Sequence, residues 1–321
     1  MPPTSAVRTF NDPDEYEASI RGARTEFTIT GRGRFNAKLI RIDLHRLWMQ
    51  QYSDNLARVG HFANIDGRAV ISFRTIPGPS LRTGGIDVGQ SNIILRRGAQ
   101  SYFQRSEGPV CFGAMSLPVE EMTAVGSTII GYEMTLPRDA MTVTPRPAAL
   151  KKLRQLYAAT VRLAEHAPEV IAHPEAARGL EQALIGTIAD CLVVKELKDD
   201  RLARRHHASI IRRFRAAVEE KPDQALFIPE LCTAIGVSQR TLRVCCQEQL
   251  GMSPKRYLLT RRMHMTRRAL RESSTIETTV TEIATRFGFW QFGRFAGEYK
   301  VLFGESPSVT LARPSNRTRI G

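Results

Sequence analysis

The sequence lacks most of the features that mark secreted, metal-binding or membrane proteins. Its five cysteines form no CxxC pair and no disulfide framework, which indicates a reducing compartment. No apolar run approaches the roughly 20 residues that a bilayer-spanning helix needs. The first 19 residues carry four acidic side chains and no apolar core, unlike a signal peptide. We therefore expect a cytoplasmic protein without a membrane partner.

Acidic residues are scarce in one part of the chain only. Residues 201–321 hold 22 Lys and Arg against 10 Asp and Glu, out of 46 and 32 in the whole chain. This leaves 24 basic and 22 acidic residues in residues 1–200, so almost all of the net charge of +14 is at the rear. A nearly neutral front and a basic rear point to a polyanionic partner for the rear.

The front of the chain has the sequence pattern of a small β domain. From residue 25 to about 140, short apolar runs are separated by Gly and Pro, which predicts a β-barrel or a sandwich. After this region, apolar residues recur with a period of 3.6, which predicts helices at about 150–166 and 175–196. Their apolar stripes contain Leu153, Tyr157 and Val161 in the first helix and Leu180, Leu184 and Ile188 in the second. These stripes predict either packing against the β domain or a dimer seam.

The rear contains one supersecondary unit twice. The first copy supplies Leu231, Cys232, Ile235, Gly236, Val237, Leu242, Cys246, Leu250, Gly251, Ser253 and Pro254. The second supplies Ile283, Ala284, Phe287, Gly288, Phe289, Phe295, Tyr299, Phe303, Gly304, Ser306 and Pro307. Each copy is predicted to be a helix, a glycine turn and a second helix, which is a helix-turn-helix built to enter a DNA major groove. Thr279-x-x-Glu282 predicts a capping box at the start of the second unit.

The exposed residues of the two second helices are the candidate DNA contacts. They are Ser238, Gln239, Arg240, Thr241 and Arg243 in the first unit and Trp290, Gln291, Gly293, Arg294 and Gly297 in the second. Gln can pair with adenine and Arg with guanine. Most aromatic residues of the second unit are predicted to be core.

A helix from about Pro254 to Glu272 is predicted to connect the units. At 1.5 Å per residue it spans roughly 30 Å, close to one turn of B-DNA, so it can present two helices to successive major grooves. The candidate phosphate contacts are Arg261, Arg267, Arg268 and Lys300. Arg262 falls inside the apolar arc, which predicts a buried or capping contact.

Residues 208–312 resemble the AraC/XylS family of bacterial transcription regulators. The resemblance rests on Gly236-Val-Ser238, Arg240-x-Leu242, Gly251-Met-Ser-Pro254, Ala284-x-x-x-Gly288-Phe289, Arg294-Phe295 and Phe303-Gly-Glu-Ser-Pro307. It implies a monomeric double helix-turn-helix unit, often preceded by a β-barrel that senses a small molecule and dimerises with its flanking helices.

This chain departs from the family at the recognition helices. Val244 stands where the family often has a basic residue, and Gly293 and Gly297 stand where it often has base-contacting side chains. We therefore expect the first recognition helix to carry more of the base readout and the second to carry more backbone anchoring.

We predict an α+β protein, with a cupin-like β-barrel sensor and flanking helices before an all-α DNA-binding domain. The domains are 1–146, a helical dimerisation region at 147–200, and 201–321. The partners are double-stranded DNA, a second copy through residues 150–196, a small-molecule effector, and RNA polymerase if the protein is an activator. No cofactor, metal or catalytic residue is predicted.

Two alternatives stay open. His45 and His61 raise the possibility of a metal-dependent cupin-type enzyme fused to a DNA-binding domain. The second alternative is an architectural DNA binder without an effector.

Overall fold

The computed structural model describes residues 2–130, 140–192, 201–220, 226–273 and 278–313. The chain forms two compact units. Unit 1 comprises Met1–Phe27, Phe35–Asn55 and Gly60–Arg201, and unit 2 comprises Thr28–Arg34, Leu56–Val59 and Leu202–Gly321. One predicted feature, the end of the second helix near residue 196, lies outside the described residues.

The front of the chain contains twelve strands among the described residues. They are β1 (Thr4–Phe10), β2 (Ala23–Ile29), β3 (Ala37–Asp43), β4 (Trp48–Asp54), β5 (Arg58–Asn64), β6 (Arg68–Arg74), β7 (Leu81–Thr83), β8 (Ile86–Asp87), β9 (Ile93–Arg97), β10 (Ser101–Ser106), β11 (Val110–Pro118) and β12 (Met141–Val143). Five helices accompany them: α1 (Pro13–Ser19), α2 (Val119–Ile130), α3 (Pro147–His166), α4 (Pro168–Ala172) and α5 (Pro174–Leu192).

The strands form two sheets. The larger sheet has the order β1-β3-β4-β11-β6-β9-β12 and the smaller has the order β2-β5-β10-β7-β8. The prediction of a closed, cupin-like barrel is not confirmed, because β1 and β12 are edges of the larger sheet among the described strands. Closure depends on pairing between residues far apart in sequence, which the local strand pattern does not specify.

One face of the larger sheet packs on the helices. Cross-strand register aligns Ile42, Met49, Met115, Ile71 and Leu95 in one row across five strands. These residues share a buried core with apolar side chains of α3 and α5. The stripes of these two helices therefore pack against the sheet within one chain, and Leu184 is 0% exposed.

Two polar contacts fix the helices on this face. The buried carboxylate of Glu181 on α5 accepts hydrogen bonds from the backbone N–H groups of Arg46 and Leu47, at 2.6 and 2.8 Å. The hydroxyl of Tyr157 on α3 donates to the carbonyl of Gln50 at 2.8 Å. Tyr157 reaches the sheet over Gly113, where an added Cβ would lie 2.6 Å from its ring.

The rear of the chain contains seven helices among the described residues. They are α6 (Arg201–Glu219), α7 (Ile228–Ile235), α8 (Gln239–Leu250), α9 (Pro254–Glu272), α10 (Val280–Arg286), α11 (Phe292–Phe303) and α12 (Pro307–Ala312). The predicted connecting helix is confirmed as α9, with the bounds that the sequence indicates. On α6, four apolar residues are buried: Ile210, Ile211, Phe214 and Val218.

The contact between Gly113 and Tyr157 gives a stability prediction. Gly113→Ala inserts a methyl group into the Tyr157 ring, and we expect it to lower the free energy of unfolding by about 1–3 kcal/mol. The matched control is Gly179→Ala on α5, where an added Cβ meets no atom within 4 Å. Because Ala is a better helix former, the control is expected to raise the free energy by about 0.5–1 kcal/mol. Urea denaturation of the full chain compares them, and equal effects would contradict this packing.

The buried stripe of α5 gives a second prediction. Leu184→Glu places an unpaired charge in the core, and we expect it to destabilise the domain by more than about 3 kcal/mol. Its neighbour Ala183 is exposed, so Ala183→Glu is expected to change stability by less than about 0.5 kcal/mol. Thermal melts followed by circular dichroism compare the two variants. A Leu184→Glu protein that stays folded and becomes monomeric would show that the stripe is a dimer seam instead.

Candidate nucleic-acid interface

The first helix-turn-helix is fixed by a left-handed glycine and a serine cap. Gly236 ends α7 with φ 66° and ψ 42°, a conformation that a side chain disfavours. Ser238 then caps α8, and its Oγ accepts a hydrogen bond from the Thr241 N–H at 3.1 Å. Arg213 on α6 donates to the Ile235 carbonyl at 2.7 Å, which satisfies the end of α7. The turn between α7 and α8 is therefore held by a glycine conformation, a serine cap and one contact from α6.

The outward face of α8 presents polar side chains. Gln239, Arg240, Arg243 and Gln247 are exposed together with Val244, at the spacing of one helix face. The predicted contacts Gln239, Arg240 and Arg243 are thus brought together. The sequence-based prediction did not include Gln247, although its position four residues after Arg243 places it on the same face of α8.

Two of the predicted DNA contacts, Ser238 and Thr241, stabilise the start of α8. The Thr241 hydroxyl lies 2.9 Å from the Ser238 hydroxyl, and Thr241 is half-buried. Ser238 is exposed at the N-terminus of α8, where N–H groups and the helix dipole favour an anion. Ser238 and Thr241 therefore set the start of the helix, and the longer side chains extend from it.

The second unit repeats the glycine turn, but its side-chain cap is at the start of the first helix, α10, and α11 has no side-chain cap. The predicted capping box is confirmed: Thr279 Oγ1 accepts from the Glu282 N–H at 3.2 Å, and Glu282 Oε2 accepts from the Thr279 N–H at 2.7 Å. These bonds lower the pKa of the Glu282 carboxyl below its ordinary value. Gly288 has φ 74° in the turn, matching Gly236.

The outward face of α11 differs from that of α8. Trp290 is 74% exposed just before the helix, and Phe292 is 40% exposed on its first turn. Gly293 and Gly297 leave bare backbone, with no atom within 4 Å of an added Cβ. Arg294 is exposed, and its Nε lies 2.9 Å from Glu298 Oε1. The other predicted residue, Gln291, is also exposed.

Most of the aromatic residues of the second unit are core, as predicted. Phe287, Phe289, Phe295 and Tyr299 are buried around Met263 and Leu270 of α9. Phe292 is the exception. It shares the helix face of Phe295 and Tyr299 but lies at the first residue of α11, where it is 40% exposed.

The connecting helix α9 is packed on both sides. Tyr257 lies against Phe214 of α6, with ring centroids 5.9 Å apart. Arg262 makes the contact expected of a cation in the apolar arc: it lies over Phe289 at 5.3 Å and beside the Gly288 turn. Burial lowers the pKa of the Arg262 guanidinium from its ordinary value.

The candidate phosphate contacts fall into two groups. Lys300 is exposed, and Arg261 and Arg268 are half-buried. Arg267 is only 7% exposed and lies over Phe303 at 5.3 Å, which does not support its prediction as a phosphate contact. The reason is that α9 is enclosed by helices on more than its apolar arc, so a charged position on the helical wheel need not face solvent.

The cysteines and histidines of the described residues give little support for thiol or metal chemistry. Cys232, Cys245 and Cys246 are buried, and burial raises the pKa of the Cys245 thiol to about 11, which disfavours the reactive thiolate. Among the described residues, no group of three or more His, Cys, Asp or Glu is arranged to hold a metal ion. His61 packs edge-on against Phe103, and the His45 ring lies 3.4 Å from the Pro174 carbonyl oxygen.

No helix in the described ranges is long and apolar enough to cross a membrane.

Comparison with known proteins gives matches to this region. Residues 231–313 match a family model described as a helix-turn-helix domain. The probable thc operon regulatory protein of Rhodococcus erythropolis is 44% identical over 94 residues, which are 29% of this chain and 28% of that protein. The XylDLEGF operon transcriptional activator 3 of Pseudomonas putida is 33% identical over 96 residues, 30% of this chain and 29% of that protein.

One solved structure is similar to part of this chain. It is described as a probable AraC family transcriptional regulator from Rhodopseudomonas palustris, with 33% identity, 33% of this chain and 98% of that chain covered, and a TM-score of 0.31. The two operon regulators are each covered over less than a third of their own length. With its two capped helix-turn-helix units, the C-terminal part of this chain is a DNA-binding domain of the AraC/XylS family of transcription regulators.

Proposed function

We propose that the whole protein is a sequence-specific transcription regulator that responds to a small molecule. In this proposal residues 1–146 sense the effector, 147–200 support dimerisation, and 201–321 bind DNA. The observation that carries it is the repeated unit, in which left-handed glycines form the turns before α8 and α11, Ser238 caps α8, and a capping box starts α10. The protein would act in the cytoplasm, and as an activator it would also contact RNA polymerase.

The two recognition helices are proposed to read DNA differently. Helix α8 exposes Gln239, Arg240 and Arg243, whose donors suit adenine and guanine edges in the major groove. Helix α11 exposes two glycines, Phe292 and an arginine paired with a glutamate, and Trp290 is exposed just before it. Its close-fitting backbone and apolar rings favour phosphate contacts and contact with thymine methyl groups over donor–acceptor readout.

The proposed homodimer needs an outward surface. Since Leu153, Tyr157, Val161, Leu184 and Ile188 are buried within one chain, a seam in residues 150–196 would use the exposed faces of α3 and α5. A dimer would double the number of phosphate contacts and let each copy bind one half-site.

The alternatives fit less of the structure. An architectural binder needs no domain such as unit 1, whose two sheets and helical layer have their own core. A metal-dependent enzyme needs ligands that converge, and His45 and His61 make separate contacts.

Single-base specificity tests the division between the helices. We expect Arg240→Ala or Arg243→Ala to weaken binding by about 1–3 kcal/mol and to relax preference at one or two base pairs. Arg294→Ala is expected to weaken binding to all sequences about equally, because a phosphate contact carries no base information. The assay measures each full-length variant on a site selected from random DNA and on its single-base derivatives.

The matched control is Arg97→Ala, which removes an exposed cation from β9. It is expected to leave affinity and specificity unchanged at physiological salt. The division would be refuted if neither α8 variant changed the relative affinities for the single-base derivatives. It would also be refuted if Arg294→Ala changed the preference at one base pair only.

A further inference from the structure

Two short segments near the start of the chain belong to the unit that contains the DNA-binding helices. Thr28–Arg34, named the basic segment, and Leu56–Val59 are part of unit 2. The backbone N–H groups of Thr30 and Gly31 donate to the carbonyl of Ala57 at 2.9 and 2.8 Å. An added Cβ at Gly31 would lie 2.8 Å from the Ala57 nitrogen, so only glycine fits at this close approach. The two segments therefore hold each other in one conformation.

The basic segment is anchored on both α9 and α11. The Ile29 carbonyl oxygen lies 3.2 Å from Nε2 of His264 on α9, and His264 is buried. The His264 ring packs edge-on against Phe303 of α11, with ring centroids 5.0 Å apart. At the end of α11, an added Cβ on Gly304 would lie 3.5 Å from the carbonyl carbon of Gly33. The position of the basic segment is therefore tied to the second helix-turn-helix.

The end of the basic segment presents two arginines on a slim backbone. Residues 30–34 have the sequence Thr-Gly-Arg-Gly-Arg, without an acidic or a large apolar side chain. Arg32, Gly33 and Arg34 are all exposed. Gly33 has φ 116°, a conformation that a side chain disfavours, and an added Cβ there meets no atom within 4 Å. Both arginines therefore extend from a loop whose backbone can approach a partner closely.

The cationic surface of the basic segment continues onto the outward face of α11. The wall of one open groove of about 450 Å³ includes Arg32, Arg256 of α9, and Arg294 and Gly297 of α11. Arg294 and Gly297 are two of the candidate DNA contacts. In the described part of the chain, Glu298 is the only acidic residue of this wall, and its Oε1 lies 2.9 Å from Arg294 Nε. DNA bound at α11 would therefore pass beside Arg32.

Duplex geometry indicates which part of the DNA the basic segment meets. When α8 and α11 enter successive major grooves on one side of the duplex, the minor groove between them faces the protein. That groove is about 6 Å wide, and in A·T-rich DNA it is narrower and more negative, which attracts inserted arginines. Basic arms that extend from helical DNA-binding domains read the minor groove in this way. An exposed Arg-Gly-Arg beside α11 has the charge and the narrow backbone that this groove requires.

We propose that the basic segment is a third DNA contact, in which Arg32 and Arg34 bind the minor groove between the two major-groove subsites. The contact favours A·T base pairs at positions that neither recognition helix touches. This inference rests on the proposed function as a sequence-specific DNA binder, and it adds a groove and two residues to the readout.

The first test removes the two charges. Full-length protein carrying Arg32→Ala and Arg34→Ala is compared with a control carrying Arg24→Ala and Arg97→Ala, which loses two exposed cations from β2 and β9. We expect the Arg32/Arg34 variant to bind the selected site at least about tenfold more weakly and to lose about 2 from the slope of log affinity against log salt. The control is expected to change affinity less than about twofold, because screening weakens distant charges.

The second test identifies the groove. Wild-type protein is used to select sites from random DNA, and we expect A·T enrichment between the two subsites that the Arg32/Arg34 variant does not select. Replacing adenine there with 2,6-diaminopurine adds an amino group to the minor groove and leaves the major-groove edge unchanged. We expect this replacement to weaken wild-type binding at least about fivefold, because the added group occupies the place of an inserted arginine. The same replacement is expected to change binding by the Arg32/Arg34 variant less than about twofold.

Three results would overturn the proposal: unchanged affinity of the Arg32/Arg34 variant, an equal loss of affinity in the control, or wild-type binding that is insensitive to diaminopurine. Far-UV circular dichroism checks that the variants fold, and the diaminopurine result on wild-type protein decides the matter if the Arg32/Arg34 variant does not. A wild-type chain that selects no DNA sequence would overturn the proposed function. A wild-type chain that selects a site which the Arg32/Arg34 variant binds equally well would overturn this inference alone.

Discussion

The arrangement of the DNA-binding domain depends on the packing of one helix, α9. Its 19 residues span about 28 Å, and both helix-turn-helix units use it as a core wall. Tyr257, near its start, contacts Phe214 of α6. Met263 and Leu270 belong to the core of the second unit. Because the helix is continuous and is packed along its length, neither recognition helix can change its position without disturbing a core.

Glycine conformations complete this constraint. Gly236 and Gly288 hold the turns, and Gly251 and Gly304 end the recognition helices, all with positive φ between 66° and 76°. A residue with a side chain is strained in that conformation, so each turn is fixed by backbone sterics rather than by long-range contacts. The internal repeat is therefore a repeat of backbone conformation, and the side chains on the outward faces are free to diverge. Helix α8 exposes polar side chains on its outward face, whereas α11 exposes glycines and Phe292.

The larger sheet of the front domain has one apolar face and one more polar face. One face packs on α3 and α5 through aliphatic residues, and the other meets the smaller sheet across a polar, aromatic cavity. Gln50 joins the two sides. Its side chain exchanges hydrogen bonds with the backbone of Arg21 at 2.9 and 2.7 Å, and its carbonyl accepts from Tyr157 of α3.

The helices and turns of the rear of the chain could be predicted from the sequence because residues close to one another in the chain determine them. The capping box at Thr279, the glycine turns and the bounds of α9 are set by residues within one or two turns of each other. Burial of Arg267 depends on neighbours that sequence periodicity does not reveal, and so does the polar face between the sheets. On β6, Arg68 alternates with apolar residues and resembles a solvent-facing position, yet a second sheet covers that side. The closure of a sheet and the location of a cavity are set by pairing between distant residues.

The spacing of the two subsites on DNA tests the central constraint most directly. Full-length protein is used to select binding sites from random DNA, and hydroxyl-radical footprinting then maps the protected backbone. A rigid α9 predicts two protected segments on one face of the duplex, about one turn or 10–10.5 base pairs apart. Inserting half a turn of DNA between them should abolish binding by one of the two helices and reduce affinity at least about tenfold, because α9 cannot follow the rotated groove. Unchanged affinity and an unchanged footprint after the insertion would contradict a rigid connection between α8 and α11.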